Sequence, residues 1–317
     1  MVKLPASASF RVACALLLLG AAGGVAYDDA PPRPVVHRAG YRVVEADFHA
    51  HTSWSDGSLS PFGVVRQAAR RGLDVVAITE HNTVIPSKMA RLYAKATDGP
   101  LVVTGEEITS ARFHVIAVGI ERTVTPGARV EDALADVHAQ GGVAIAAHPV
   151  RAYWPALVPA REFFDGAEIM HPVAYGQRDG AGWRWEDMVA FRQEASRPLA
   201  AIGSSDYHWG SVLGLCRTLL FVREPLTEAA VVEAIRERRA VTLDLSGHYI
   251  GEPELVRALE AEPLTPRTSD WSYAGASTGD RVLRAFGWLG VAAVVVLAGA
   301  RRRREAAPVS ERDVRLR

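Results

Sequence analysis

The sequence predicts an α/β fold over roughly residues 40–250, arranged as a barrel or an open sheet of parallel strands. Two observations predict it. Short apolar runs recur along this stretch with helical segments between them, which is the pattern of strands joined by helical crossovers. Histidine, aspartate and glutamate gather where those runs end, and a barrel collects its active residues at the C-terminal ends of its strands.

The strand-like runs, in order, are 43–47, 74–79, 101–107, 113–119, 143–147, 167–170, 199–203 and 217–222. Ser60 followed by Pro61 is an N-cap and first-turn pair, and Gly72, after Arg70 and Arg71, stops that helix. Residues 131–140 form another helix, closed by Gly141 and Gly142. Residues 226–238 are amphipathic, with a basic last turn that complements the helix dipole.

Both ends read as membrane elements. Lys3 and Arg11 lead into an apolar stretch, 12–26, in which small Gly24 and Ala26 are followed by Asp28 and Asp29. This is the layout of a secretory signal over 1–26, or of a short N-terminal anchor if it is not cleaved. Residues 251–281, rich in Pro, Ser, Thr and Gly, read as a stalk. The apolar stretch 285–300, extended back to Val282 by snorkelling of Arg284, reads as a transmembrane helix over 282–300. Trp288 suits the interface, and Arg301, Arg302, Arg303 and Arg304 open a basic cytoplasmic tail, 301–317. A buried helix with a basic cap is the alternative. Together the ends put the middle domain at the cytoplasmic membrane, on its extracytoplasmic side.

Apolar residues make up 49% of the 317-residue chain, enough for a substantial core and too many for a disordered chain. Lys plus Arg number 36 and so do Asp plus Glu, which weighs against binding long nucleic acids through many basic contacts. Of two cysteines, Cys14 lies in the N-terminal apolar stretch, so Cys216 is left alone and no internal disulfide framework forms. Cys216 reads as a small buried hydrophobe.

The chemistry begins with His49-Ala50-His51. Residues two apart on a strand face the same way, so both imidazoles can reach one cation. The pair gains weight from what stands at the other strand ends: Asp56, His81, Glu107, His114, His148, Asp206 and His208. So many buried charges and imidazoles need pairing or a cation to be tolerable. Nitrogen and oxygen donors without thiolates suit Zn, Mn or Fe, and exclude a Cys-type structural zinc site. Water between close metal ions is deprotonated near neutral pH and becomes a nucleophile.

The segments Asp47-Phe48-His49-Ala50-His51-Thr52, Ser55-Asp56-Gly57, Ile78-Thr79-Glu80-His81-Asn82, Gly105-Glu106-Glu107, His114, Ala147-His148-Pro149 and Ser205-Asp206-Tyr207-His208 resemble, in this order, the motifs of the PHP (polymerase and histidinol phosphatase) family. The resemblance covers roughly residues 45–210. It implies a distorted (β/α)7 barrel with two or three divalent metal ions. By that likeness His49, His51, Glu107 and Asp206 hold one metal. Glu107 bridges to a second, completed by His114 and His148, and Asp56, His81 and His208 hold a third. Glu107 is preferred to Glu106 because the family places its glutamate two after the glycine, here Gly105, and adjacent strand residues face opposite ways. Glu80 stands where the family more often has Asp and is expected to support the ligands from behind.

Arg112, Arg151, Arg178 and Arg184 could hold a substrate phosphate or simply be solvated, and His171 could line the pocket. Trp183 and Trp185 could flank a ring-bearing substrate or pack a loop. The function expected is metal-dependent hydrolysis of phosphate esters, on a small phosphorylated compound or nucleotide. An exonuclease acting on nucleic-acid ends and a non-catalytic metal-bound receptor or scaffold are the alternatives.

Overall fold

The computed structural model describes residues 8–26, 34–175, 182–209, 211–244, 247–264 and parts of 282–297. Arg178, the tail 301–317 and residues 265–281 of the expected stalk lie outside the described residues. The chain divides into two compact units, one of Met1–Asp29 with Ala274–Arg317 and one of Ala30–Tyr273.

The strands of the larger unit are β1 (Val36–Arg38), β2 (Tyr41–Asp47), β3 (Val75–Ile78), β4 (Leu101–Thr109), β5 (His114–Val118), β6 (Val143–Ala146), β7 (Gly166–Met170), β8 (Ala200–Gly203), β9 (Thr218–Val222), β10 (Ala240–Leu243) and β11 (Tyr249–Gly251). The chain's helices are α1 (Ala8–Ala26), which belongs to the smaller unit, then α2 (Pro61–Arg70), α3 (Ile85–Ala96), α4 (Val130–Ala139), α5 (Trp154–Leu157), α6 (Trp185–Gln193), α7 (Glu228–Arg236) and α8 (Pro253–Ala261). The sheet runs β11-β10-β9-β2-β3-β4-β5-β6-β7-β8, with β1 beside β2. Every residue of β3, β6 and β8 is buried, as for strands covered on both faces. One side packs Val44, Ala46, Phe48, Ile116, Ile202 and Leu220 into a central core. A second layer, including Phe113, Leu134, Phe164 and Phe191, lies against the helices.

Parallel pairing holds for β2-β3-β4 and for β6-β7-β8. Elsewhere the expectation fails: β4 and β5, β5 and β6, and β9 with both β2 and β10 are antiparallel. The link from β4 to β5 is too short for the crossover of a dozen or more residues that parallel strands need. The result is a mixed, nearly closed α/β barrel of the PHP type. It is sealed next to the last strand by a side chain: Gly203 N donates to Thr218 Oγ1 at 3.0 Å, and that hydroxyl donates to Gly203 O at 3.0 Å. A Cβ on Gly203 would stand 2.4 Å from Thr242 Oγ1 and 2.5 Å from Arg217 O, so only glycine fits there.

Local signals explain the helix ends. Ser60 Oγ accepts from Gly63 N and Pro61 begins α2, while Thr227 caps α7 through Ala230 N. The folded domain extends further than its expected end at 250. Pro253, which reads as stalk, is the first-turn residue of α8, and Leu255 and Leu259 of that helix are buried with Val43, Leu219, Phe221 and Val241. Cys216 is buried as expected.

In the smaller unit, Gly290 lies against α1: a Cβ there would stand 2.6 Å from Leu17 N and 2.9 Å from Ala13 O. Among the described residues no helix is long and apolar enough to cross a membrane, so the transmembrane span over 282–300 is not supported. Parts of that span, and the side chains of 20–26, lie outside the described residues.

Candidate metal centre

Two short pairings beyond the strand ends assemble the site. Past β2 the chain stays extended, and Ala50 bridges Tyr207 in parallel, with His51 N donating to Tyr207 O at 3.1 Å and Tyr207 N to His49 O at 3.2 Å. Strand alternation then sends Phe48 and Ala50 into the cores while His49 and His51 meet Asp206. His81 bridges Glu107 in the same manner, through Glu107 N to Glu80 O at 3.1 Å and Asn82 N to Glu107 O at 2.9 Å. The β4–β5 hairpin folds His114 back onto Glu107.

In the first cluster, His49 Nε2 stands 3.1 Å from His51 Nε2, 3.0 Å from Asp206 Oδ1 and 3.6 Å from Glu107 Oε1. His51 Nε2 is 3.3 Å from Asp206 Oδ1 and 3.7 Å from Glu107 Oε2. Donors bound tetrahedrally at zinc-like bond lengths stand about 3.3–3.6 Å apart, so these separations match a shared cation. In the second cluster, Glu107 Oε1 lies 2.7 Å from His114 Nδ1 and 3.2 Å from His148 Nε2. In the third, Asp56 Oδ2 lies 3.3 Å from His81 Nε2 and 3.4 Å from His208 Nε2, with His51 alongside. Every candidate ligand thus falls in one of these three clusters, and the clusters overlap: Glu107, His49, His51 and His148 each enter two of the four donor groups that lie within reach of one ion.

The donor set also fits cations electrostatically. Asp206 Oδ1 and His148 Nδ1 are buried with no hydrogen-bond partner, a costly state that a neighbouring cation relieves at the carboxylate. Burial would raise the pKa of Glu107, but His49, His114 and His148 hold it well below the usual carboxylate range. Burial likewise opposes ionisation of Asp206, and His49, His171 and His51 overcome it. His148 and Asp206 sit at φ 25° and 41°, in the left-handed region that side chains disfavour and functional sites often retain. His49, His51, Glu107, His148 and Asp206 are buried, whereas Asp56 is half exposed and His81, His114 and His208 are partly so, which makes that side the open one.

No family model matches the chain. An uncharacterised protein of Methanocaldococcus jannaschii is 32% identical over 151 residues, which is 43% of this chain and 85% of that protein. The fold is shared with a two-domain protein from Bacteroides vulgatus containing a predicted PHP-like metal-dependent phosphoesterase, at a TM-score of 0.59 and 23% identity over 74% of each chain. The likeness is one of fold, and the fold is the barrel that the PHP resemblance implies. Shorter likenesses join it to a 5'-3' exoribonuclease of Haemophilus influenzae, 32% identical over 81 residues, and to a phosphoribosyl 1,2-cyclic phosphate 1,2-diphosphodiesterase of Eggerthella lenta, 35% identical over 81 residues. Each covers 24% of this chain, and they cover 29% and 30% of those proteins.

The residues expected around the PHP ligands divide. Glu80 supports the loop that carries Asp56: it accepts from Thr52 N at 3.1 Å and from the hydroxyls of Thr52 and Ser55. His171 is buried behind the first cluster, with Nε2 3.0 Å from Asp206 Oδ2. The three described arginines are engaged elsewhere. Arg112 donates to Ala128 O at 2.6 Å and, with Arg129, lines a cleft of about 470 Å³. Arg151 pairs with Asp187 at 3.3 Å and stacks on Trp154, and Arg184 pairs with Glu186 at 3.5 Å. The tryptophans part company too: Trp183 lies 4.5 Å from His148 between ring centroids, while Trp185 donates to Ile169 O at 2.6 Å and packs.

Three neighbours of the site were not foreseen as functional. Asp47, fully buried, accepts from His49 N at 3.2 Å, Ser205 N at 3.1 Å and Gly214 N at 2.9 Å, and so ties the loop after β8 to the end of β2. Tyr153 stacks on His114 with ring centroids 5.0 Å apart. Glu168 of β7 touches His49 and His148. An isolated acid inside the apolar run Gly166–Met170 was the available signal for it.

Proposed function

We propose that this protein is a metal-dependent phosphoesterase holding three divalent cations, Zn, Mn or Fe, and acting on a small phosphorylated compound or nucleotide. The observation that carries this reading is Glu107, one buried carboxylate shared by two converging donor clusters and flanked by a third. His49, His51, Glu107 and Asp206 would hold the first cation, Glu107, His114 and His148 the second, and Asp56, His81 and His208 the third. Bound there, the cations supply Lewis acidity to the phosphoryl oxygens and lower the pKa of water. The chain's own part is to keep the donors fixed. Glu80 anchors Thr52 and Ser55 beside Asp56, and His208 Nδ1 donates to Asp206 O at 2.8 Å, turning the Nε2 lone pair toward the position beside Asp56. The ester would enter past Asp56, the most exposed ligand.

The test is hydrolysis of aryl phosphomonoesters and diesters by the full chain with added Mn or Zn. Turnover should depend on metal and fall at least ~100-fold in His49→Ala and Glu107→Gln, in line with the loss of a metal-held site. A fully metal-loaded wild type inactive on every monoester and diester would sink this reading and leave the receptor or scaffold. The exoribonuclease likeness supports the second reading, and degradation of RNA from one end in preference to mononucleotides would select it.

We also propose that the domain is held at the cytoplasmic membrane, on its outer side. Support comes from the secretory-signal layout of Lys3 and Arg11 before the apolar stretch 12–26. The domain should sediment with membranes and be cut by protease added outside intact cells; protection from external protease refutes it.

A further inference from the structure

Glu168 is the one acid of β7, fully buried, and stands outside the three donor clusters. Its two oxygens serve ligands assigned above to different cations, His49 and His148, which also meet in one donor group with Asp206. Oε1 accepts from His49 Nδ1 at 3.0 Å, and Oε2 accepts from the backbone N–H of His148 at 2.6 Å. The first bond puts the proton of His49 on Nδ1 and turns the Nε2 lone pair toward His51 and Asp206. The second pins a backbone at φ 25°, a conformation that a non-glycine residue keeps only when its surroundings impose it.

His171 makes a simpler contact of this kind. Val173 N donates to its Nδ1 at 3.2 Å, so its Nε2 carries the proton toward Asp206 Oδ2, and it supports one cluster. The third cluster has its own supports, Thr109 Oγ1 at 2.8 Å from His81 Nδ1 and Ser55 Oγ at 2.9 Å from Asp56, and meets the first through Glu107 Oε2 at 2.8 Å from His81 Nδ1 and Asp206 O behind His208; Glu168 touches none of its members.

We infer that Glu168 is a positioning residue that makes the first two metal positions form and fail as one unit, with the third affected less. The inference rests on the metal-dependent reading above. It predicts a coupling beyond the shared ligand Glu107, because Glu168 itself binds no metal.

The test is calorimetric titration of the full, chelator-stripped chain with Mn²⁺ alone, in wild type, Glu168→Ala, Glu168→Gln and His114→Ala. Glu168→Ala should weaken two positions together by about 10–100-fold and a third distinctly less, whereas His114→Ala should weaken one most. Glu168→Gln keeps an acceptor for one of the two donors and should lose less. Imidazole nitrogen NMR of the metal-free chain, at a pH high enough for His49 to be neutral, should find its remaining proton on Nδ1 in wild type and a tautomer mixture in Glu168→Ala, a signature that a purely structural role would not move. Wild-type affinities in Glu168→Ala, or in Glu168→Gln should the alanine variant not fold, would overturn the inference while leaving the proposed function standing. A wild type that binds no metal would overturn both.

Discussion

Glu106 and Glu107 are adjacent on β4 and end in opposite chemical states. Strand alternation turns Glu107 to the imidazoles of the site, and Glu106 to the other face, where Oε1 accepts from Val124 N at 2.5 Å. Burial dominates there and pushes the Glu106 carboxyl up to about 7. A folded pKa above the unfolded one means that the folded state resists ionisation. Stability from this group is therefore lost as pH rises from the ordinary glutamate range to about 7, and stays lost above it. Glu106→Gln removes the ionisation. It should melt close to wild type near pH 4.5 and above it at pH 8, measured as thermal midpoints of the metal-free chains. A variant equally destabilised at both pH values would show instead that the carboxyl is retained for its hydrogen bonds.

At the scale of elements, what the sequence reveals follows from what fixes each element. The runs 74–79, 143–147 and 199–203 are legible because strands buried on both faces read as near-continuous apolar runs. β1, β10, β11 and α8 are not, because they are short and owe their form to pairing at the rim: Val241 meets Gly251, and Leu255 meets Phe221. Strand direction is also invisible locally, since an antiparallel β5 is as apolar as a parallel strand. The ligands are legible since they crowd at strand ends, a position where burial without a cation is costly. Glu168 escapes notice because its partners come from β2 and the loop after β6, and a single acid in an apolar strand has many possible explanations. The arginines were judged by loop position alone, whereas Asp187 and Glu186, placed by α6, decide where Arg151 and Arg184 point.

For the whole molecule, protons and cations compete for one set of donors. Without cations, burial would lower the pKa of His51, yet Asp206, Glu80 and Glu107 hold it up to about 9. His49 is raised well above its ordinary value against the same penalty, by Asp206, Glu168 and Glu107. Groups raised in the fold contribute stability below their unfolded pKa, near 6.5, and lose it as pH climbs through the folded value. Glu107 and Asp206, held low, lose their contribution only in acid. The metal-free chain should therefore soften between about pH 6.5 and 9. Metal binding needs neutral imidazoles and releases their protons, so affinity should climb over the same interval by up to about tenfold per pH unit for each proton released. His148 differs, because burial already lowers its pKa and it has little proton to give up. The gain in melting temperature on adding Mn or Zn should thus widen from pH 6.5 to 9, with the first position accounting for most of the widening. A gain that stays flat or narrows across that interval would mean that His49 and His51 are already neutral in the metal-free fold, and that the acids around them serve only to place the rings.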